Sequence, residues 1–114
     1  MKIGGVEKIP TNRPIEYQQL RNDQTNFMYS NFTGADFLYA DLSHSNFDNS
    51  SFKSASLVHA NLSGAILTNC NLQNADLRFA DLSQTRLESA RYNTGTQFPE
   101  GFDIAGKGMR LVTF

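Results

Sequence analysis

Large apolar residues recur at every fifth position along most of this chain, from Phe27 to Tyr92. Phe, Leu or Tyr fills this large slot in all fourteen groups of five between residues 25 and 94. Two positions before each large residue stands a small one (Ala, Ser, Thr or Cys), and the residue between them is mostly Asn or Asp. A period of five is neither the 3.6-residue period of a helix nor the two-residue alternation of a straight strand. The pattern predicts a chain that turns a corner once per five residues, with the large and small slots facing inward.

Four such corners would close a square coil of about twenty residues, and successive coils would stack through backbone hydrogen bonds at roughly 4.8 Å. Asn and Asp suit the corners because their side chains hydrogen-bond to nearby backbone and tolerate turn conformations. The large slot is mostly Phe at first and is always Leu from Leu57 to Leu87, so like residues should lie on like. The prediction is an all-β stack of about three and a half coils.

The repeat resembles the A(D/N)LXX motif of pentapeptide repeat proteins in segments such as ANLSG at 60–64, ADLRF at 75–79 and ADLSQ at 80–84. The resemblance covers residues 25–94 without a break in register. It implies a right-handed quadrilateral β-helix, and the C-terminal residues are similar to the extensions of some cyanobacterial members. The departures at the Asn/Asp position should all face outward, and they are Ser51, Ser56, Ile66, Arg86 and Arg91.

The chain divides into three regions, and residues 1–24 form the first. Thr11 or Asn12 could cap a short helix there, with Pro14 in its first turn. The end of a stacked solenoid exposes unpaired backbone groups above an apolar core. We therefore expect this helix to pack on the first coil as an N-terminal cap.

The period breaks after residue 94, so residues 25–94 form the repeat domain and residues 95–114 a C-terminal capping tail. Phe98 and Phe102 are placed to plug the last, half-finished coil. The final residues, 110–114, are apolar enough to add an edge strand or to join a partner.

The bulk composition excludes several classes of protein. A net charge of -1 gives no broad attraction to nucleic acid or to an anionic membrane. The N-terminus lacks the apolar stretch of a secretory signal, and no run approaches the ~20 apolar residues of a membrane span. The single cysteine, Cys70, stands in a small slot and should be a buried thiol. These features indicate a soluble, cytoplasmic protein.

Candidate catalytic groups do not converge in the sequence. His44 and His59 have no cysteine, glutamate or second histidine at metal-ligand spacing, which favours exposed residues without a metal. Cys70 would point into the core, away from any substrate, and no glycine-rich phosphate loop is present. We expect no catalytic residues, cofactor, metal or small-molecule substrate.

One face of the predicted coil differs from the others. Residues twenty apart should stack, which places two columns side by side, and together we call them the aromatic strip: Leu38, Val58 and Arg78 with Tyr39, His59 and Phe79. The stacked rings could stabilise neighbouring strands, as cross-strand aromatic pairs do. The strip could equally bind a protein, since contiguous exposed apolar patches tend to mark contacts. Both interpretations remain open at this point.

The leading hypothesis is a non-catalytic interaction module that binds a protein partner or a second copy of the chain. The alternative is a DNA mimic or a gyrase-interacting protein, because some pentapeptide repeat proteins protect DNA gyrase by presenting a DNA-like acidic rod. That role requires dense acidic columns, whereas the column of Asp36, Ser56 and Asp76 is interrupted by a neutral residue. A small enzyme is the third possibility and lacks a convergent site.

Overall fold

The structure is a computed structural model that describes residues 26–113 together with two short strands near the N-terminus. Strands β1 (Lys2–Ile3) and β2 (Val6–Glu7) pair antiparallel. Strands β3 (Arg91–Tyr92) and β4 (Arg110–Leu111) pair in parallel. The predicted N-terminal helix falls outside the described residues.

The repeat forms a coil of twenty residues per turn. Ten isolated parallel bridges, from Asn26–Asn46 to Asn71–Arg91, each join residues twenty positions apart. The bridge between Asp41 and Asn61 illustrates the backbone hydrogen bonds that join successive coils. The N–H of Leu42 donates to the C=O of Asn61 at 2.8 Å, and the N–H of Asn61 donates to the C=O of Ala40 at 2.9 Å. The predicted stacked coil is confirmed, while its right-handed sense stays a prediction.

Each corner of the coil is a four-residue turn that starts at the large slot. At one corner the N–H of Ala60 donates to the C=O of Leu57 at 3.0 Å, and His59, the third residue of the turn, has a φ of 59°. A positive φ at the third residue and not at the second is typical of a type II turn. This backbone conformation favours glycine, yet glycine occupies it in the repeat only at Gly34 and Gly64.

The Asn/Asp position stabilises the corner through its side chain. The Oδ1 atom of Asn61 accepts a hydrogen bond from the N–H of Ser63 at 3.0 Å, and Asp81 accepts one from Ser83 at 2.9 Å. This is the local side chain to backbone bond that was expected of these residue types. The preference for Asn and Asp beside the large slot therefore has a direct cause, since either side chain supplies the acceptor.

The core is a stack of the large slots with the small slots between them. The rings of Phe27 and Phe47 stack at 4.9 Å with an interplanar angle of 5°. Like residues tend to lie on like, as predicted, but Phe47 lies over Leu67 where the large slot changes from Phe to Leu. Ten large side chains of the repeat are completely or almost completely buried: Phe32, Phe37, Leu42, Phe47, Phe52, Leu57, Leu62, Leu67, Leu72 and Leu77.

Polar small residues are buried without losing a hydrogen bond. The hydroxyl of Ser50 donates to the C=O of Phe27 at 2.9 Å, and the thiol of Cys70 donates to the C=O of Phe47 at 3.0 Å. Burial raises the pKa of the Cys70 thiol to about 12. The thiolate is the reactive form of cysteine, and the raised pKa keeps Cys70 protonated. Cys70 is therefore a buried, packed core residue, as expected.

The tail departs from the twenty-residue register where it covers the last coil. Gln97 bridges Asp76, which is 21 residues away, and Arg110 pairs with Arg91, which is 19 away. Phe98, Phe102 and Met109 pack against the core cluster. The final residues thus add the edge strand β4.

Two outward slots are less exposed than the period predicts. Gln73 is 8% exposed and Ser43 is 7% exposed, so the expectation that these slots are open to solvent is wrong for both. The Ser43 hydroxyl donates to Asp41 at 2.7 Å, which holds this small side chain against its own turn. Gln73 lies in an inner rung, between the rungs of Lys53 and Asn93.

An amide ladder was expected where Asn49 lies over Asn69, and the structure shows a different arrangement. Both amides donate to the carboxylate of Asp48, at 2.9 and 3.0 Å, and the Thr68 hydroxyl donates to it at 2.5 Å. The bonds from Thr68 and Asn69 hold the pKa of Asp48 below its ordinary value of 3.8. A carboxylate therefore organises this face.

Asp48 should make the stability of the protein depend on pH in acid. A carboxyl whose folded-state pKa is lowered contributes stability above its unfolded pKa and loses it as pH falls through the folded value. We expect Asp48→Asn to be destabilising at pH 7 and its deficit relative to wild type to shrink below about pH 4. Urea unfolding at pH 7, 4 and 3 measures this. A deficit that stays constant with pH would contradict it.

Candidate protein-binding face

Three rings form a ladder along one corner of the coil. The rings of Tyr39 and His59 stack at 4.7 Å with an interplanar angle of 7°. The rings of His59 and Phe79 stack at 4.8 Å with an angle of 11°. These distances match the usual spacing of adjacent strands, so one rung supplies one ring. The predicted column of Tyr39, His59 and Phe79 is present.

The ring residues stand in a backbone conformation that bulky side chains rarely adopt. The φ angles of Tyr39, His59 and Phe79 are 61°, 59° and 64°. Non-glycine residues at positive φ are mostly Asn, Asp or His, and a large aromatic residue there is uncommon. Tyr39 and Phe79 are therefore placed on this corner against local preference, whereas His59 is of a type that is enriched at positive φ.

Arg78 is held beside the rings by an acid of its own turn. Its Nη2 and Nε atoms donate to the two carboxylate oxygens of Asp76 at 2.7 and 2.9 Å. The hydrogen bonds from Arg78 hold the pKa of Asp76 below its ordinary value and raise the pKa of Arg78. Because the charges of this pair offset one another, Arg78 brings little net charge to the strip.

Exposure differs among the six residues of the strip. Tyr39 is 60% exposed and Phe79 is 68% exposed, whereas Leu38 and Val58 are less exposed, because each is half-buried. The free apolar surface of the aromatic strip is thus mainly its rings. They stand on a corner, so this surface is a convex ridge.

The structure adds two features that the sequence columns did not single out. Tyr29 is 73% exposed at a φ of 60°, on a different corner from the strip. Arg110 lies beside Arg91 in the β3–β4 pair. Exposed aromatic residues at the corner position would have identified Tyr29, but the break in register concealed the arginine pair.

The remaining candidate chemistry stays dispersed. The His44 ring lies against the backbone of Gly64, where an added Cβ would collide with it. Among the described residues, no group of three His, Cys, Asp or Glu side chains could hold a metal ion. In the same part of the chain, no helix has the length and apolar character needed to cross a membrane.

The family model for pentapeptide repeats matches residues 25–64 and 55–91, with eight copies. These ranges cover more than half of the chain, so the protein belongs to the pentapeptide repeat family. A comparison with curated proteins gave no match.

Several solved structures are similar to this chain. A pentapeptide repeat protein from Nostoc PCC 7120 is 28% identical, with 89% of this chain and 100% of that chain covered and a TM-score of 0.45. A second is HetL, a pentapeptide repeat protein involved in heterocyst differentiation regulation from the cyanobacterium Nostoc sp. strain PCC 7120. It is 25% identical, with 83% of this chain and 40% of HetL covered and a TM-score of 0.42. A pentapeptide repeat protein of the Arabidopsis thaliana thylakoid lumen is 25% identical, with 81% and 64% covered and a TM-score of 0.40.

Proposed function

We propose that this protein is a non-catalytic module that binds another protein through the aromatic strip. The observation that carries the proposal is the ladder of Tyr39, His59 and Phe79, whose three rings stack in succession on the exposed side of the coil. Contiguous exposed apolar patches tend to mark contacts with other proteins. Ring stacking would stabilise adjacent strands, but the strands of the coil do not need large rings at a corner in order to pair.

The shape of the strip favours a partner with a groove. Each ring offers at most ~150–250 Å², so three rings supply a few hundred Å². A stable complex of two flat faces needs about 800 Å² on each side. A convex ridge buries more area in a groove than against an identical ridge, so a different protein is the better occupant than a second copy.

The charge pattern gives no support to the DNA-mimic alternative. The carboxylates of Asp36 and Asp76 are separated by Ser56 along their column, and Asp76 is paired with Arg78. A protein that imitates the phosphate backbone needs closely spaced free negative charges. This surface offers few.

The proposal predicts that Tyr39→Ser combined with Phe79→Ser abolishes partner capture while the fold persists. Neither ring fills the core, so the double variant should lose only the stacking energy, roughly 1 kcal/mol for each ring pair. The measurement is capture of proteins by the tagged chain from extracts of its native cells, with a melting curve for each variant.

Tyr29→Ser is the matched control, because Tyr29 has the same backbone conformation and similar exposure on another corner. The control should capture the same proteins as wild type. Capture by the double variant at the wild-type level would overturn the proposal. If Tyr29→Ser alone abolishes capture, the binding face lies on the corner of Tyr29 and not on the aromatic strip. Sedimentation of the free protein tests whether a second copy of the chain binds the aromatic strip. Dimers that form in wild type and are lost in the double variant would contradict the proposal of a different partner with a groove.

A further inference from the structure

Like charges are kept apart along the repeat. In each stacked column where two acids occur, a neutral residue occupies the rung between them. These columns are Asp36–Ser56–Asp76, Asp41–Asn61–Asp81 and Asp48–Thr68–Glu88. Like charges directly opposite one another on adjacent strands are destabilising, which gives this spacing a physical reason.

Arg91 and Arg110 break this rule. They are Cα partners in the parallel pair of β3 and β4, and both side chains are exposed. Within residues 26–113, the ion pairs join Arg78 to Asp76 and Arg86 to Glu88, so neither Arg91 nor Arg110 has an acidic partner there. Two exposed arginines thus stand at paired positions of adjacent strands.

One further cation and one acid lie in the segments that precede the pair. The N–H of Ser89 donates to the C=O of Gly108 at 2.8 Å, which places the segment before Arg91 alongside the segment before Arg110. That second segment contains Lys107, whose ammonium lies 5.5 Å from the centre of the Phe102 ring. The segment before Arg91 contains Glu88, whose carboxylate lies 3.6 Å from Nε of Arg86.

We propose that Arg91 and Arg110 form a binding site for a phosphate group. A guanidinium presents parallel N–H donors that pair with two oxygens of an oxyanion. One arginine satisfies a carboxylate, which has two oxygens and one charge. A phosphate monoester has three terminal oxygens and close to two charges, so it can engage two guanidinium groups one strand spacing apart.

Titration with inorganic phosphate at constant ionic strength tests the site, with the arginine Nε–H resonances as the readout. We expect saturable shifts of the Arg91 and Arg110 signals and no shift of the Arg86 signal. Arg91→Gln and Arg110→Gln should each weaken binding about tenfold, because a charge-assisted hydrogen-bond pair is lost. Arg91→Lys should weaken it less, because the charge remains.

Arg86→Gln is the matched control, since it removes an exposed arginine that already lies near an acid, and it should bind phosphate as wild type does. Both glutamine variants at the pair should melt at or above the wild-type temperature in chloride, because they relieve repulsion. A lower melting temperature would show that the two charges do not oppose one another, which would remove the basis of the proposal.

The source of the phosphate is distinguished by a peptide arm. A phosphoserine peptide that binds at least about tenfold more tightly than inorganic phosphate indicates a phosphorylated protein, whereas equal affinities indicate a free phosphate compound. Acetate that shifts the signals as strongly as phosphate would overturn the assignment. So would non-saturable shifts, or unchanged affinity in both glutamine variants. None of these readouts depends on the aromatic strip, so they test the phosphate site separately from the proposed function.

Discussion

Leu62→Ala should lower the free energy of unfolding by about 2–5 kcal/mol, as truncation of a fully buried leucine does. Leu62 has 0% exposure and lies in the column between Leu42 and Leu82. The cavity would sit inside a stack whose wall is fixed by backbone bonds on both sides, so collapse around it is restricted. Equilibrium unfolding in urea measures the loss.

Ser63→Ala is the control for that experiment. Ser63 is the next residue in the chain but stands in an outward slot, and a substitution there should change stability by no more than about 0.5 kcal/mol. Similar losses for Leu62→Ala and Ser63→Ala would contradict the assignment of inward and outward slots.

Deletion of residues 96–114 should lower the melting temperature and cause association of the truncated chains. The deletion removes the bridge from Gln97 to Asp76 and the pairing of β4 with β3. It also removes Phe98 and Phe102, whose rings stack on one another at 5.2 Å and pack against the core. An exposed strand edge above an apolar interior is a template for pairing with another chain.

A less drastic variant separates the two contributions of the tail. Phe98→Ala with Phe102→Ala keeps the strand pairing and removes the apolar cover, so it should lower the melting temperature with less association than the deletion. Light scattering and thermal melting of both proteins provide the comparison. A deleted form that stays monomeric with an unchanged melting temperature would show that the tail does not cap the coil.

The sequence predicted the coil and the strip because both depend on the period. Once five residues make one corner, the register between rungs follows, and the stacking of Tyr39, His59 and Phe79 follows from their spacing of twenty. The burial of the large slots and of Cys70 has the same origin. Family membership then rests on the same residues, since the motif is the corner itself.

Tertiary structure decided what the period leaves free. Asp48 collects the donors of Asn49 and Asn69 because a charged acceptor outcompetes amide-to-amide bonds, and no periodic rule states which neighbour a polar side chain selects. The tail changes the register from twenty residues to nineteen at Arg110, which brings it beside Arg91. The inward or outward direction of each periodic position is set by local turn geometry, which can be inferred from the sequence of a single repeat. Side-chain pairing and the return of the tail depend on contacts between distant residues, which only the folded chain brings together.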